Sequence, residues 1–301
     1  MKKRLFTFGD SFTQYSYPTW ADILGREFDH YENWGRLAAG NHFIFNSVNE
    51  CLIRNKVDQN DTFIIMWTNI YREDRYIDKQ WQFSGNLFSE NKFNPEFCDE
   101  LFRSKFMDRR GCLLRDLAMI NTTKTLLDHA QVNYIFLSTV PITQASLSAH
   151  VSDQKFKEEN DDILNSYEKV LNLIRPSIYE TVFNYDWFSR PTSDRLPDEK
   201  VRQQYMSLAG ADWPTYENFL QGDFQGIDQI IIDEIFDPKR TGTDWKLRIS
   251  EFNRDDFHPT TEEHLEYIEL VLPEFSVNDK TKKWAKAKTK FFKDSPPPQR
   301  W

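Results

Sequence analysis

Asp61-Thr62-Phe63-Ile64-Ile65-Met66-Trp67 is apolar at five successive positions after a polar lead-in. A strand with one wet face alternates apolar and polar residues. A run without alternation is expected where helices cover both faces, as in a parallel sheet. Leu5 to Phe8, in the segment Lys3-Arg4-Leu5-Phe6-Thr7-Phe8, reads as a second buried strand, and Asn133-Tyr134-Ile135-Phe136-Leu137-Ser138 as a third. A short strand is expected near His30 to Asn33. Between these lie helical stretches: Pro18 to Phe28, about Phe43 to Ile53, and a long one from about Pro95 to Ala130. Strand and helix in alternation predict a doubly wound α/β sheet.

Two stretches break the alternation. Tyr71 to Asn94 is polar and aromatic and is expected as a loop or hairpin excursion (about 71–94). A larger insertion of about 186–251 holds Trp187, Trp213, Pro214, Tyr216, Phe219 and Trp245, with a helical stretch from Ile227 to Phe236. Thr260 to Glu274 reads as a closing helix, capped by Thr260 or Thr261 with Glu262 and Glu263 in its first turn. The expected organisation is one domain over 1–278 and a basic tail over 279–301. The tail's lysines surround Trp284, Phe291 and Phe292. The plainer reading of that tail is a helix packing its aromatics on the body, the other a contact with an anionic partner or membrane surface.

With 301 residues, 39% of them hydrophobic and 15% aromatic, the chain can bury a substantial core. The net charge of −9 argues against general nucleic-acid binding. No apolar run reaches bilayer length. No signal-peptide pattern precedes the first strand, so a cytoplasmic setting is expected, with a phage-encoded or virion-associated protein as the other option. Cys51, Cys98 and Cys112 lack metal-ligand spacing, so reduced thiols, no metal and no cofactor are expected. The oligomeric state is not encoded in any pattern.

Two motifs carry chemistry. The first strand runs into Gly9-Asp10-Ser11-Phe12, which can expose Ser11 at the carboxyl edge of the sheet. A serine there is a nucleophile if a base and oxyanion donors are at hand. Read alone, it can equally be a helix N-cap. Near the other end stands Asp255-Asp256-Phe257-His258-Pro259. An Asp three residues before a His can accept from imidazole Nδ1–H and stabilise the imidazolium, so Asp255 and His258 are the expected orienting acid and base.

These motifs resemble the SGNH (GDSL-like) hydrolase superfamily, defined by four ordered blocks carrying Ser, Gly, Asn and His. Phe8-Gly9-Asp10-Ser11-Phe12 matches the first block and Asp255-Asp256-Phe257-His258-Pro259 the fourth. The Gly block is best matched by Asn33-Trp34-Gly35-Arg36-Leu37-Ala38-Ala39-Gly40-Asn41, with Gly40 favoured over Gly35, and the Asn block by Trp67-Thr68-Asn69. The chain departs from the pattern at Trp67, where a Gly is usual, and in the wider spacing of the Gly block. The resemblance implies a three-layer α/β/α, flavodoxin-like fold with a mostly parallel five-stranded sheet. It also implies an oxyanion hole from the Ser11 N–H, the Gly40 N–H and the Asn69 amide. Read as residues, Gly40 can also be a turn glycine and Asn69 a loop cap.

The function implied is ester hydrolysis by Ser11, His258 and Asp255, most plausibly of a short acyl group such as acetyl on a carbohydrate. An acyltransferase with the same triad and a non-catalytic glycan-binding or phage accessory protein are the alternatives. Asp10, Arg72 and Trp213 are the expected substrate contacts, although Arg72 and Arg75 can equally pair with Glu73, Asp74 or Asp99.

Overall fold

A computed structural model describes residues 3–15, 18–87, 99–143, 153–184 and 258–287. They divide between two compact units: Met1–Gln14 with Phe28–Asn184, and Tyr15–Glu27 with Tyr185–Trp301. Asp255, Trp213, Cys98 and the helix expected over Ile227 to Phe236 lie outside the described residues.

The first unit is built on strands β1 (Arg4–Phe8), β2 (His30–Asn33), β3 (Asp61–Trp67) and β6 (Asn133–Ser138). They form one parallel sheet in the order β2-β1-β3-β6. These are the four strands predicted, and every crossing between them carries helix, as parallel pairing requires. The expected fifth strand is reduced, among the described residues, to a single parallel bridge between Phe136 and Ile174. Arg175 N–H donates to the Phe136 carbonyl (2.9 Å). Pro176 follows, and it has no N–H to carry a ladder further.

Helices α2 (Asn41–Arg54) and α4 (Arg109–Ala130) pack on each other, and α2 on β1 and β3. Phe6 and Phe8 are paired with Phe63 and Ile65 across the sheet. With Trp67, Phe136, Ile44, Val48, Leu113 and Leu117 they make one buried cluster. Leu5, Thr7, Ile64 and Met66, which alternate with them, are also fully buried. The near-continuous apolar character of β1 and β3 therefore reflects burial on both faces.

The polar stretch after β3 is a hairpin of β4 (Arg72–Ile77) and β5 (Gln80–Asn86). The long helical stretch is two helices, α3 (Glu100–Phe106) and α4. They break at Asp108, whose side chain caps α4 by accepting from Gly111 N–H (2.7 Å). Helices α5 (Asp153–Ser166), α6 (Glu168–Leu171) and α7 (Ile178–Thr181) complete the unit.

In the second unit α1 (Trp20–Gly25) packs on α8 (Thr261–Val271), and α8 on α9 (Asp279–Ala287). Thr260 caps α8 in a capping box with Glu263. Thr261 Oγ1 donates to the Pro18 carbonyl (3.1 Å). The guanidinium of Arg26 lies 4.2 Å from the Trp284 ring centre, so the start of the basic tail is a helix that packs its aromatic residue.

Candidate active site

In a parallel sheet all strand exits share one edge. Here that edge carries the turn after β1 with Ser11, the 34–40 loop after β2, and Thr68-Asn69 after β3. The turn is tight because Thr13 and Gln14 both donate their N–H to the Asp10 carbonyl (2.9 and 3.0 Å). A Cβ on Gly9 would lie 2.0 Å from Thr13 Oγ1 and 3.1 Å from the Met66 carbonyl, so only glycine fits the approach. Ser11 is buried, at 4% exposure.

Asp10 is fully buried. Its Oδ1 accepts from Phe12 N–H (3.0 Å), and its Oδ2 from Thr68 Oγ1 (2.7 Å) beside Arg72 Nη1 (3.2 Å). Arg72 Nη1 also donates to the Ala39 carbonyl (2.9 Å). Both were expected at the substrate. In the structure the buried Asp10 carboxylate takes the cation and donors it needs from Arg72 Nη1, Thr68 and Phe12. Their part is to hold the serine turn against β3, the hairpin and the 34–40 loop. Arg75 likewise pairs with Glu73 (2.7 Å).

Gly40 is engaged within the protein. Its N–H donates to both oxygens of Asp74 (2.9 Å each), and Phe43 N–H donates to Asp74 Oδ2 (2.9 Å). Gly40 is the N-cap of α2 and has no side chain to satisfy that helix's first N–H groups. Asp74 does it from the hairpin as an acceptor placed at the helix N-terminus. A Cβ on Gly40 would lie 2.8 Å from Asp74 Oδ2 and from Arg72 Cβ, which explains the glycine on packing grounds. The alternative, Gly35, gives its N–H to Asn33 Oδ1 (2.9 Å).

Asn69 is half-buried. Its Oδ1 accepts from Tyr71 N–H (2.8 Å). That bond fixes the amide orientation and leaves Nδ2 without a protein partner among the described residues.

Behind this edge lies a buried polar network that the sequence did not announce. Asn41 clamps Thr68 through Oδ1 to its N–H (2.9 Å) and Nδ2 to its carbonyl (3.0 Å). Asn41 Nδ2 also reaches Asp116 Oδ2 (2.6 Å), and Asp116 Oδ1 accepts from Arg115 Nε (2.7 Å). Arg115 goes on to Glu73 (2.5 Å). Burial pushes Asp74 up to about 7, against the opposing Phe43 and Gly40 N–H bonds. It pushes Asp116 up to about 6, against Arg115. A signal for Asp116 exists: it sits in the apolar stripe Cys112, Leu113, Asp116, Leu117, Ile120, where a charge calls for a buried partner.

His258 belongs to the second unit, where its ring stacks on Tyr15 with centroids 4.0 Å apart and 21° between planes. Tyr15 follows Ser11 by four residues in the chain. His258 stands two residues before the Thr260 cap, so the capping box fixes the backbone it leads into. Among the described residues no cluster of His, Cys, Asp and Glu is arranged to hold a metal ion, and no helix is long and apolar enough to cross a membrane.

No family model matches the chain, and no curated protein matches it by sequence. Among solved structures it is similar to a member of the lipolytic protein G-D-S-L family from Veillonella parvula, at 14% identity and a TM-score of 0.32. That match covers 62% of this chain and 84% of that one. It is also similar to a GDSL-like lipase from Bacteroides thetaiotaomicron, at 11% identity and a TM-score of 0.36, covering 94% of this chain and 89% of that one.

Proposed function

We propose that the chain is a serine ester hydrolase of the SGNH type. The observation that carries this reading is the Ser11 turn: it leaves a central parallel strand, and an inward-facing Asp10 anchors it beside Asn69. In the mechanism Ser11 Oγ attacks the ester carbonyl while His258 takes its proton, and Asp255 steadies the imidazolium by its three-residue spacing. The Ser11 N–H and Asn69 Nδ2 donate to the oxyanion. His258 then protonates the departing alcohol; water attacks the acyl-serine with His258 again as base, the acyl–Oγ bond breaks to release the acid, and His258 returns the proton to Ser11 Oγ. Short acyl groups on carbohydrates are the proposed substrates, in keeping with the aromatic load of the insertion that holds Trp213. The same groups would serve an acyltransferase with a sugar hydroxyl in place of water.

One observation favours a second reading. With Gly40 N–H engaged by Asp74, the oxyanion hole lacks the donor its resemblance implies, as a binding protein on a hydrolase scaffold would. A fluorophosphonate probe and p-nitrophenyl acetate, applied to the wild type and to Ser11→Ala, decide between them. Labelling and turnover that vanish in the variant support the hydrolase. An unlabelled, inactive wild type supports the binding protein.

A further inference from the structure

Several arginines of the first unit meet carboxylates. Arg4 meets Asp61, Arg54 meets Glu50, Arg72 meets Asp10, Arg75 meets Glu73, and Arg115 meets Glu73 and Asp116. Arg36 differs from these: no carboxylate lies against it among the described residues. What it has is an aromatic ring, with its guanidinium carbon 5.7 Å from the Phe83 centroid. Phe83 is in turn packed edge-on against Phe43 of α2 (5.3 Å, 76°). Arg36 is exposed, and the protein around its guanidinium pulls it below the usual arginine value. Its fork of N–H donors, with no carboxylate against it among the described residues, is open to an anion.

Its backbone position is also fixed. Arg36 N–H donates to the Gly9 carbonyl (2.9 Å), two residues before Ser11. The preceding loop is tied to the serine turn by Asn33 Nδ2 on the Thr13 carbonyl (2.7 Å). Just beyond, Ala38 sits in the left-handed region (φ 63°), and Ala39 N–H closes back on the Arg36 carbonyl (3.1 Å). A non-glycine residue there is held by its surroundings. The loop thus presents Arg36 from a rigid base on the strand-exit edge that carries Ser11.

We propose that Arg36 recognises an anionic group on the substrate, so that the ester cleaved carries a carboxylate, sulfate or phosphate near the scissile bond. The inference rests on the esterase reading above. A planar guanidinium held over a ring leaves its N–H fork for such oxyanions. The charge can be on the acyl or on the alcohol side, and two ester pairs separate these. One is para-acetoxybenzoate against its methyl ester, with the charge on the alcohol. The other is p-nitrophenyl hemisuccinate against p-nitrophenyl butyrate, with the charge on the acyl group.

The quantity read is the charged-to-neutral ratio of kcat/KM in wild type, Arg36→Gln and Arg36→Lys, with Arg110→Gln as control. Arg110 is an exposed residue engaged with Asp162. Wild type is expected to favour the charged member of one pair. Arg36→Gln should lower that ratio roughly ten- to hundredfold, the worth of a charge-assisted hydrogen bond. Arg36→Lys should fall between, and the control should match wild type. An unchanged ratio in Arg36→Gln for both pairs overturns the inference while the esterase reading stands. If no ester is turned over, the esterase reading fails by itself, and calorimetric titration with para-acetoxybenzoate then decides the anion site. Binding lost in Arg36→Gln supports the site; no binding to wild type, or equal binding by both, overturns it.

Discussion

Replacing Asp74 by Asn should change how stability depends on pH, in a direction set by the structure. Asp74 is fully buried, and its carboxylate takes the Gly40 and Phe43 N–H groups at 2.9 Å. Burial still wins, and the group is pushed from 3.8 up to about 7. The native state therefore holds a proton that the unfolded chain has already released. Stability from this proton is fully present below the unfolded value near 3.8, and is lost as pH rises through about 7. At about 1.4 kcal/mol per unit, the whole window is worth on the order of 4 kcal/mol. Asp116, raised from 3.8 to about 6, acts in the same sense and is left in place. In Asp74→Asn the amide oxygen can take both N–H groups without titrating. Urea unfolding by tryptophan fluorescence, at constant ionic strength from about pH 4 to pH 8, reads the difference between variant and wild type. Histidine contributions common to both cancel. The variant should gain on wild type by several kcal/mol across the window, with the steepest change below pH 7. A difference independent of pH would refute the assignment of a burial-raised carboxylate at the α2 N-terminus.

Three further outcomes follow from the same geometry. Asn69→Ala should lower kcat for p-nitrophenyl acetate by about 10²–10³ with a small change in KM, if Nδ2 donates to the oxyanion; steady-state kinetics check this. Gly9→Ala puts a Cβ 2.0 Å from Thr13 Oγ1 and 3.1 Å from the Met66 carbonyl, and should cost about 2–3 kcal/mol in chemical denaturation. Arg72→Met strips the buried Asp10 of its cation and should lower stability by about 3 kcal/mol. A change in KM with no thermal shift would instead return Arg72 to the substrate.

Much of the scaffold is legible from local pattern. The strand over Asp61 to Trp67 is visible because burial on both faces leaves the uninterrupted apolar run Phe63 to Trp67, and those over Leu5 to Phe8 and Asn133 to Ser138 show shorter apolar runs. Thr260 is legible as a cap because hydroxyl and Glu263 stand three residues apart. The hairpin hid its role. Arg72, Glu73 and Asp74 read as part of a polar excursion, yet Glu73 and Asp74 are buried. Sequence pattern rates each charge by its own polarity, while burial of a charge depends on partners far along the chain. For Asp74 those partners are 31 and 34 residues away, at Phe43 and Gly40. The same distance problem conceals Asp116, paired with Asn41 across 75 residues. Motif matching marked Gly40 and Asn69 correctly as strand-exit residues. It had no means of seeing that another side chain occupies the Gly40 N–H.

That occupancy bears on how the serine edge is built. Asp10, Asp74, Asp116 and Glu73 are buried against Arg72 and Arg115, an arrangement that a hydrophobic cluster of equal volume would match or exceed in stability. Its other consequence is geometric. Through directional bonds the network fastens the β1 turn at Asp10, the β3 exit at Thr68, the start of α2 at Gly40 and Asn41, the hairpin at Arg72 and Asp74, and α4 at Asp116. Dispersion contacts alone let loops slide by fractions of an ångström, and such displacements are costly where a nucleophile and its donors must be held in register. A chain that gives up a backbone donor at Gly40 to cap a helix from outside gains a fixed hairpin in return. Phe83, paired with Asp74 across that hairpin, is the ring beneath Arg36, so the hairpin that caps α2 also carries the ring under the guanidinium proposed to bind an anion.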